Sequence, residues 1–152
     1  MGKWKKFWNF SGAERGLLFQ ALVLLPATAV ALRLVGFRRW QAALARLAPA
    51  VPTDPRGNGL ERAHQIARMV AAGGHHGPRR SSCLEESLVL WWLLRRQGFS
   101  PGLCVGARKR DGRFEAHAWV ELAGAVLNDT GEVHRHYTPF DQSIVTAQAG
   151  PR

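Results

Sequence analysis

Only two cysteines, Cys83 and Cys104, occur in the 152 residues. Two cannot build a framework of spaced disulfides, so a reducing compartment, the cytoplasm, is the default. None is needed for stability, because a chain of this length buries roughly 70% of its unfolded surface. Acidic residues are also few, 11 against 21 Lys and Arg, for a net charge of +10 and a pI near 11.2. That balance favours anionic partners: nucleic acid, a lipid surface or an acidic peptide. Yet the basic residues fall in short clusters, such as Lys3-Trp4-Lys5-Lys6, Arg38-Arg39, Arg79-Arg80 and Arg95-Arg96. No long basic tract and no nucleic-acid-binding module is present, and no nucleic-acid partner is expected. Among the two cysteines and six histidines there is no C-x-x-C or H-E-x-x-H spacing. A zinc site is therefore the weaker rival to thiol chemistry, and no metal or cofactor is expected.

A clean apolar run is missing too. Leu17 to Leu32 is nearly free of charge, but Arg15 and Arg33 bound it, Gln20 lies inside and Pro26 interrupts it. A membrane span needs about 20 apolar residues, and this run is short of that. A basic start before an apolar stretch also fits a secretory signal. Glu14 beside Arg15, and a further helix directly after, argue against cleavage. The expectation is a buried helical hairpin broken near Pro26. Before it, residues 1–10 interleave lysines with Trp4, Phe7, Trp8 and Phe10, a mixture suited to a membrane interface.

The remaining punctuation divides the chain. Residues 1–48 read as a helical region, with Phe37, Trp40, Leu44 and Leu47 on one face of its last helix. Residues 49–59, rich in Pro and Gly, read as a linker. Leu60 to Ala72 reads as a helix stopped by Gly73-Gly74, and His75 to Arg80 as a loop. Ser82-x-x-Glu85 is a capping box that opens a helix at Cys83 and carries it to about Gln97, with Gly98 as its stop. Leu84, Leu88 and Trp91 to Leu94 cover most of that helix, which marks it as central. Then the pattern turns to period two. Leu103, Val105 and Ala107 alternate with Cys104, Gly106 and Arg108. After an Asp111-Gly112 turn, Phe114 to Val120 alternate with Glu115 to Glu121. Ala125 to Asp129 reads as a third short strand, Val133 to Tyr137 as one more, and residues 141–152 as a loose tail. Helices first and an antiparallel meander after make the class α+β, with a core over residues 60–140.

Cys83 at the first helical position meets free backbone N–H groups and the positive end of the helix dipole, which favour an anion such as a thiolate. The same amides can hold a developing oxyanion. Glu85 and Glu86 oppose a thiolate unless they point away. A second oxyanion donor is left open. Downstream, a three-residue loop, Leu122-Ala123-Gly124, would pair Glu121 with Ala125 and so His117 with Asp129 across the hairpin. A slip of one residue would send Asp129 to the other face. Together Cys83, His117 and Asp129 have the composition and order of a nucleophile, base and orienter. The bland alternatives are a buried structural cysteine with a surface His–Asp pair, or a peptide- or membrane-binding module without catalysis. Trp91, Trp92 and Trp119 are expected as core and cleft wall, and Cys104 as a packed strand residue.

Cys83-Leu84 with Ser87-Leu88, then Leu93-Leu94-Arg95-Arg96-Gln97-Gly98, Val105-Gly106-Ala107-Arg108, Ala116-His117-Ala118-Trp119-Val120-Glu121 and Val126-Leu127-Asn128-Asp129, resemble the lasso-peptide biosynthesis B2 proteins. The resemblance implies a papain/transglutaminase-like core, with the central Cys83 helix packed on an antiparallel sheet behind an N-terminal helical extension. It implies a cysteine protease that removes the leader from a lasso precursor peptide, with Cys83, His117 and Asp129 as its triad and no cofactor. It implies a B1-type leader-recognition protein as partner and the lasso cyclase as a neighbour in the pathway. Transfer of the acyl group to an amine stays open, since pocket shape sets the acceptor. A peripheral membrane contact through the N-terminal helices is the remaining partner expectation.

Overall fold

The computed structural model describes residues 11–48 and 58–139. Residues 1–10, most of the expected linker and the expected tail lie outside the described residues. Four helices come first: α1 (Gly12–Leu34), α2 (Phe37–Leu47), α3 (Gly59–His76) and α4 (Cys83–Arg96). Strands β1 (Gly102–Arg110), β2 (Arg113–Leu122) and β3 (Ala125–Val126), a single helical turn α5 (Val133–His136) and strand β4 (Thr138–Pro139) follow. The sheet has the order β3-β2-β1-β4, with every neighbouring pair antiparallel. The class is α+β, with the helices first and an antiparallel sheet after them.

Three expectations about the helices are corrected. Pro26 does not break α1, which runs unbroken for 23 residues from the Ser11–Glu14 capping box. An interior proline costs about 3 kcal/mol. Burial of Leu17, Leu18 and Leu25, at about 1.5–3 kcal/mol each, exceeds that cost. Unbroken, α1 is long and apolar enough to cross a membrane by length and composition, although a third of its most apolar stretch is buried inside the protein. Gly73-Gly74 does not stop α3, which continues to His76. Both glycines are buried packing positions. A Cβ on Gly73 would lie 2.9 Å from the Ala21 Cβ of α1, and one on Gly74 would lie 2.3 Å from both Ser81 Oγ and Glu86 Oε1. His75 and His76 are thus the last turn of a helix and not part of a loop. On α2, Leu47 is exposed, while Phe37, Trp40 and Leu44 pack inward; Trp40 Nε1 donates to the buried Thr28 Oγ1 of α1 at 3.3 Å.

α4 is central, as its all-round apolar surface requires. Ser87 to Leu94 are all buried, and the helix packs on α1 and α3 on one side and on β2 on the other. Leu88, Leu90, Trp91 and Leu93 share one core with Leu17 and Leu25 of α1, Ile66 and Val70 of α3, and Leu103 and Val120 of the sheet. Gly98, at φ 85°, terminates the α4 segment.

The β1–β2 turn is the expected Asp111-Gly112, both at positive φ, closing on the Arg110–Arg113 pair. The β2–β3 turn differs from the sequence reading. It has two residues, Ala123-Gly124, both at positive φ, and pairs Leu122 with Ala125 and Glu121 with Val126. Paired positive φ values are the type I′ geometry that matches strand twist. β3 stops after two residues, and residues 133–136 form a helical turn where a strand was expected.

Candidate active site

Cys83 occupies the first turn of α4, half-buried, behind a complete capping box. Ser82 Oγ accepts from the Glu85 amide at 3.3 Å, and Glu85 Oε2 accepts from the Ser82 amide at 3.1 Å. The two acidic residues beside it are turned back toward the preceding loop. Glu85 Oε1 meets Arg79 Nη2 at 2.5 Å, and Glu86 Oε1 accepts from Ser81 Oγ at 2.5 Å. Gly74 makes the second contact possible, since any side chain there would occupy the same space. Glu85 is thereby paired with an arginine, and Glu86 is bonded to a hydroxyl.

His117 on β2 and Asp129 in the segment after β3 are joined through Nε2 and Oδ2. His117 is half-buried and Asp129 is an exposed residue, with 22% and 25% of their side chains accessible. A carboxylate only accepts, so the proton of the neutral ring sits on Nε2 and Nδ1 carries the lone pair. Asp129 is held in turn, its Oδ1 accepting from the Thr130 amide at 2.6 Å. The sequence brings these two side chains together for a different reason from the one read off the hairpin. In the observed register, a continued ladder would set Asp129 across from Ala118, on the face opposite His117. The ladder ends at Val126, and the chain turns Asp129 over to the imidazole.

Three aromatic and charged neighbours frame the ring. Trp119, fully buried and two residues along the same strand face, stacks 6.2 Å from the imidazole centroid. Tyr137 lies 4.9 Å away, its ring tilted by 31° to the imidazole. Arg108 stands 4.7 Å over the Tyr137 ring and bonds Glu115 at 2.6 Å, an interaction that keeps the guanidinium charged. Gly106 of β1 lets this arrangement close, because a Cβ there would press on the Trp119 ring at 3.0 Å and on the Thr138 carbonyl at 2.9 Å. Trp119 was expected as cleft wall. Tyr137 was not expected, since the α5 turn that presents it has no clear pattern.

Among the described residues no hydrogen bond joins the Cys83 thiol to His117. The elements that carry them are tied together nonetheless. Ser87, one turn after Cys83 on the same helix face, is fully buried and donates from Oγ to the Ala118 carbonyl at 3.0 Å. Catalytic contacts in ligand-free enzymes are often long and tighten on substrate.

The second cysteine is of another kind. Cys104, on β1, donates to the Glu121 carboxylate, which also accepts from Trp119 Nε1 at 2.6 Å. Burial first, and the Glu121 charge next, push its thiol up to about 11. It remains protonated at neutral pH. No group of three or more metal-binding side chains exists among the described residues.

No curated protein and no solved structure matches the chain. The family model described as Transglutaminase-like superfamily, Transglut_core3, matches residues 22–141 and so includes Cys83, His117 and Asp129. With most of its length inside that match, the chain belongs to the transglutaminase-like superfamily.

Proposed function

We propose that this protein is a cysteine protease of that superfamily that removes the leader from a ribosomally made lasso precursor. The observation that carries the reading is the His117–Asp129 pair, held by β2 and the segment after β3 and anchored through Ala118 to the helix that Cys83 begins. The resemblance of residues 60–140 to the B2 proteins supplies the substrate class, and the superfamily supplies the chemistry.

In this mechanism His117 Nδ1 takes the thiol proton of Cys83 while Asp129 stabilises the imidazolium through Nε2. The thiolate attacks the scissile carbonyl, and α4 amides steady the oxyanion. The C–N bond breaks as the imidazolium protonates the leaving amine, which becomes the N-terminus of the core peptide. Water, deprotonated by His117, then hydrolyses the thioester and frees Cys83. Each proton transfer of this kind contributes about 10²–10⁴ in rate.

The partners in this proposal are the precursor peptide, a B1-type leader-recognition protein and, downstream, the lasso cyclase. The location is cytoplasmic, with peripheral attachment to an anionic lipid surface through α1 and α2. Two features support attachment. Phe19, Val23, Val30 and Leu34 form an exposed apolar stripe along α1. Between Glu14 and Asp54 the chain has Arg15, Arg33, Arg38, Arg39 and Arg46 and no acidic residue.

The test is incubation of the chain, a B1-type protein and a candidate precursor, followed by mass spectrometry. Separated leader and core are expected with the natural chain, and intact precursor with Cys83→Ala, which still binds its partner. Cleavage by Cys83→Ala would overturn the nucleophile assignment. A core-free adduct of the leader with an added primary amine would favour acyl transfer over hydrolysis.

A further inference from the structure

We infer that Ser87 and Asn128 are positioning residues that turn Asp129 toward His117 and fix both against the helix of Cys83. The inference rests on the catalytic reading above and adds a cause for its geometry.

The difficulty that Asn128 resolves is one of sheet parity. With Glu121 opposite Val126, each further step of the ladder would alternate faces, and Asp129 would share the face of Ala118. The first step is still regular, since the Leu127 amide donates to the Val120 carbonyl at 2.9 Å. The return bond is not. The Val120 amide donates instead to the side chain of Asn128, Oδ1, at 2.8 Å. A side-chain amide thus takes the place of a strand carbonyl. Val120 is fully buried, so an unpaired amide there would cost about 1–3 kcal/mol. The main chain is released from the ladder without that penalty, and the next residue, Asp129, meets the imidazole.

The other end of Asn128 reaches the catalytic helix. Its Nδ2 donates to Ser87 Oγ at 2.9 Å, and Ser87 in turn donates to the Ala118 carbonyl at 3.0 Å. The Ser87 proton and an Oγ lone pair are both committed, as are both ends of the Asn128 amide. One connected set of bonds therefore links α4, the β2 residue beside His117 and the residue before Asp129. A packed serine with no exposure has no freedom to choose other partners.

The experiment measures the rate of Cys83 alkylation by iodoacetamide against pH, with adducts located by mass spectrometry. It needs no knowledge of the precursor. Compared are the natural chain, Asp129→Asn, Asn128→Ala, Ser87→Ala and the Asn128→Ala/Asp129→Asn pair; Asn128→Ser substitutes for Asn128→Ala if the latter melts below the assay temperature. Asn128→Ala is expected to slow alkylation at neutral pH about 10-fold and to shift its pH profile in the direction of Asp129→Asn. Once Asn128 is gone, Asp129→Asn is expected to add less than about 2-fold. Shared consequences of this sort are the mark of residues acting as a unit. A full Asp129→Asn effect in the Asn128→Ala background, or a natural profile in folded Asn128→Ala and Ser87→Ala, would overturn the inference. His117→Ala separates the two claims. If it leaves the alkylation of Cys83 unchanged, the catalytic reading itself fails.

Discussion

Treatment of the folded protein with iodoacetamide at pH 8 is expected to mark Cys83 and spare Cys104. The selectivity can be worked from the thiol of Cys104, pushed up to about 11. At pH 8 about one such thiol in 10³ is ionised, against about a quarter for an ordinary cysteine. The more basic thiolate is intrinsically about 10-fold more nucleophilic, with a Brønsted slope of about 0.4–0.5. The net disadvantage is therefore about 20-fold, before the shielding by Trp119 and the strand is counted. Peptide mapping of the adducts over time reads both rates in one sample, and denaturant should make Cys104 react as an ordinary thiol. The same shift has a stability consequence of fixed sign. A thiol whose folded pKa is raised contributes its stability fully below about pH 8 and loses it as pH rises toward 11, because the unfolded chain ionises first. Urea midpoints should fall over that window, and less so in Cys104→Ala. Comparable labelling of the two cysteines in the folded protein would refute the burial and charge argument for Cys104.

Asp129→Asn keeps a hydrogen-bond acceptor for His117 Nε2 but removes the charge that balances the imidazolium. Asp129 is an exposed residue, so solvent screening holds the loss to about 1–2 kcal/mol, read as an about 5–30-fold fall in kcat with KM nearly constant. Gly73→Ala should destabilise the fold by about 1–2 kcal/mol in urea titrations. Overpacking against Ala21 costs about 1–3 kcal/mol and helix propensity returns up to about 1, and Ala21→Gly should restore much of the loss in the double variant. In flotation assays the protein should rise with vesicles containing anionic lipid and not with neutral ones. Phe19→Ser with Leu34→Ser should abolish the effect without moving the melting temperature, because both side chains are exposed, at 70% and 78%. Co-flotation that survives this change would locate attachment elsewhere.

Local chemistry was the legible part. The Ser82–Glu85 box, the Asp111-Gly112 turn and the all-round apolar surface of α4 are each decided within a few residues, and the structure follows them. The strongest local breakers misled. Pro26 and Gly73-Gly74 signal ends, but packing of α1 across α3 outweighs a lost hydrogen bond and uses the bare glycine surface for close approach. The site shows the same division. His117 near Asp129 was foreseen, yet through a three-residue loop that the chain does not form. The actual route, a type I′ turn followed by a side-chain substitute for a ladder bond, depends on Ser87 from 41 residues away in sequence, and no local window contains that information. Tyr137 escaped for a similar reason. Its place beside the imidazole follows from β4 pairing with β1, a contact between two-residue segments without periodicity.

One side of α1 supplies Leu17, Leu18, Ala21 and Leu25 to the interior, while its other side offers Phe19, Val23, Val30 and Leu34 to the outside. Trimming the chain to the part after residue 48 would not yield a neater catalytic fragment. It would strip one wall from the core and leave Gly73, Ile66 and Val70 facing water. Drawing the same helix out of the protein would remove the same wall.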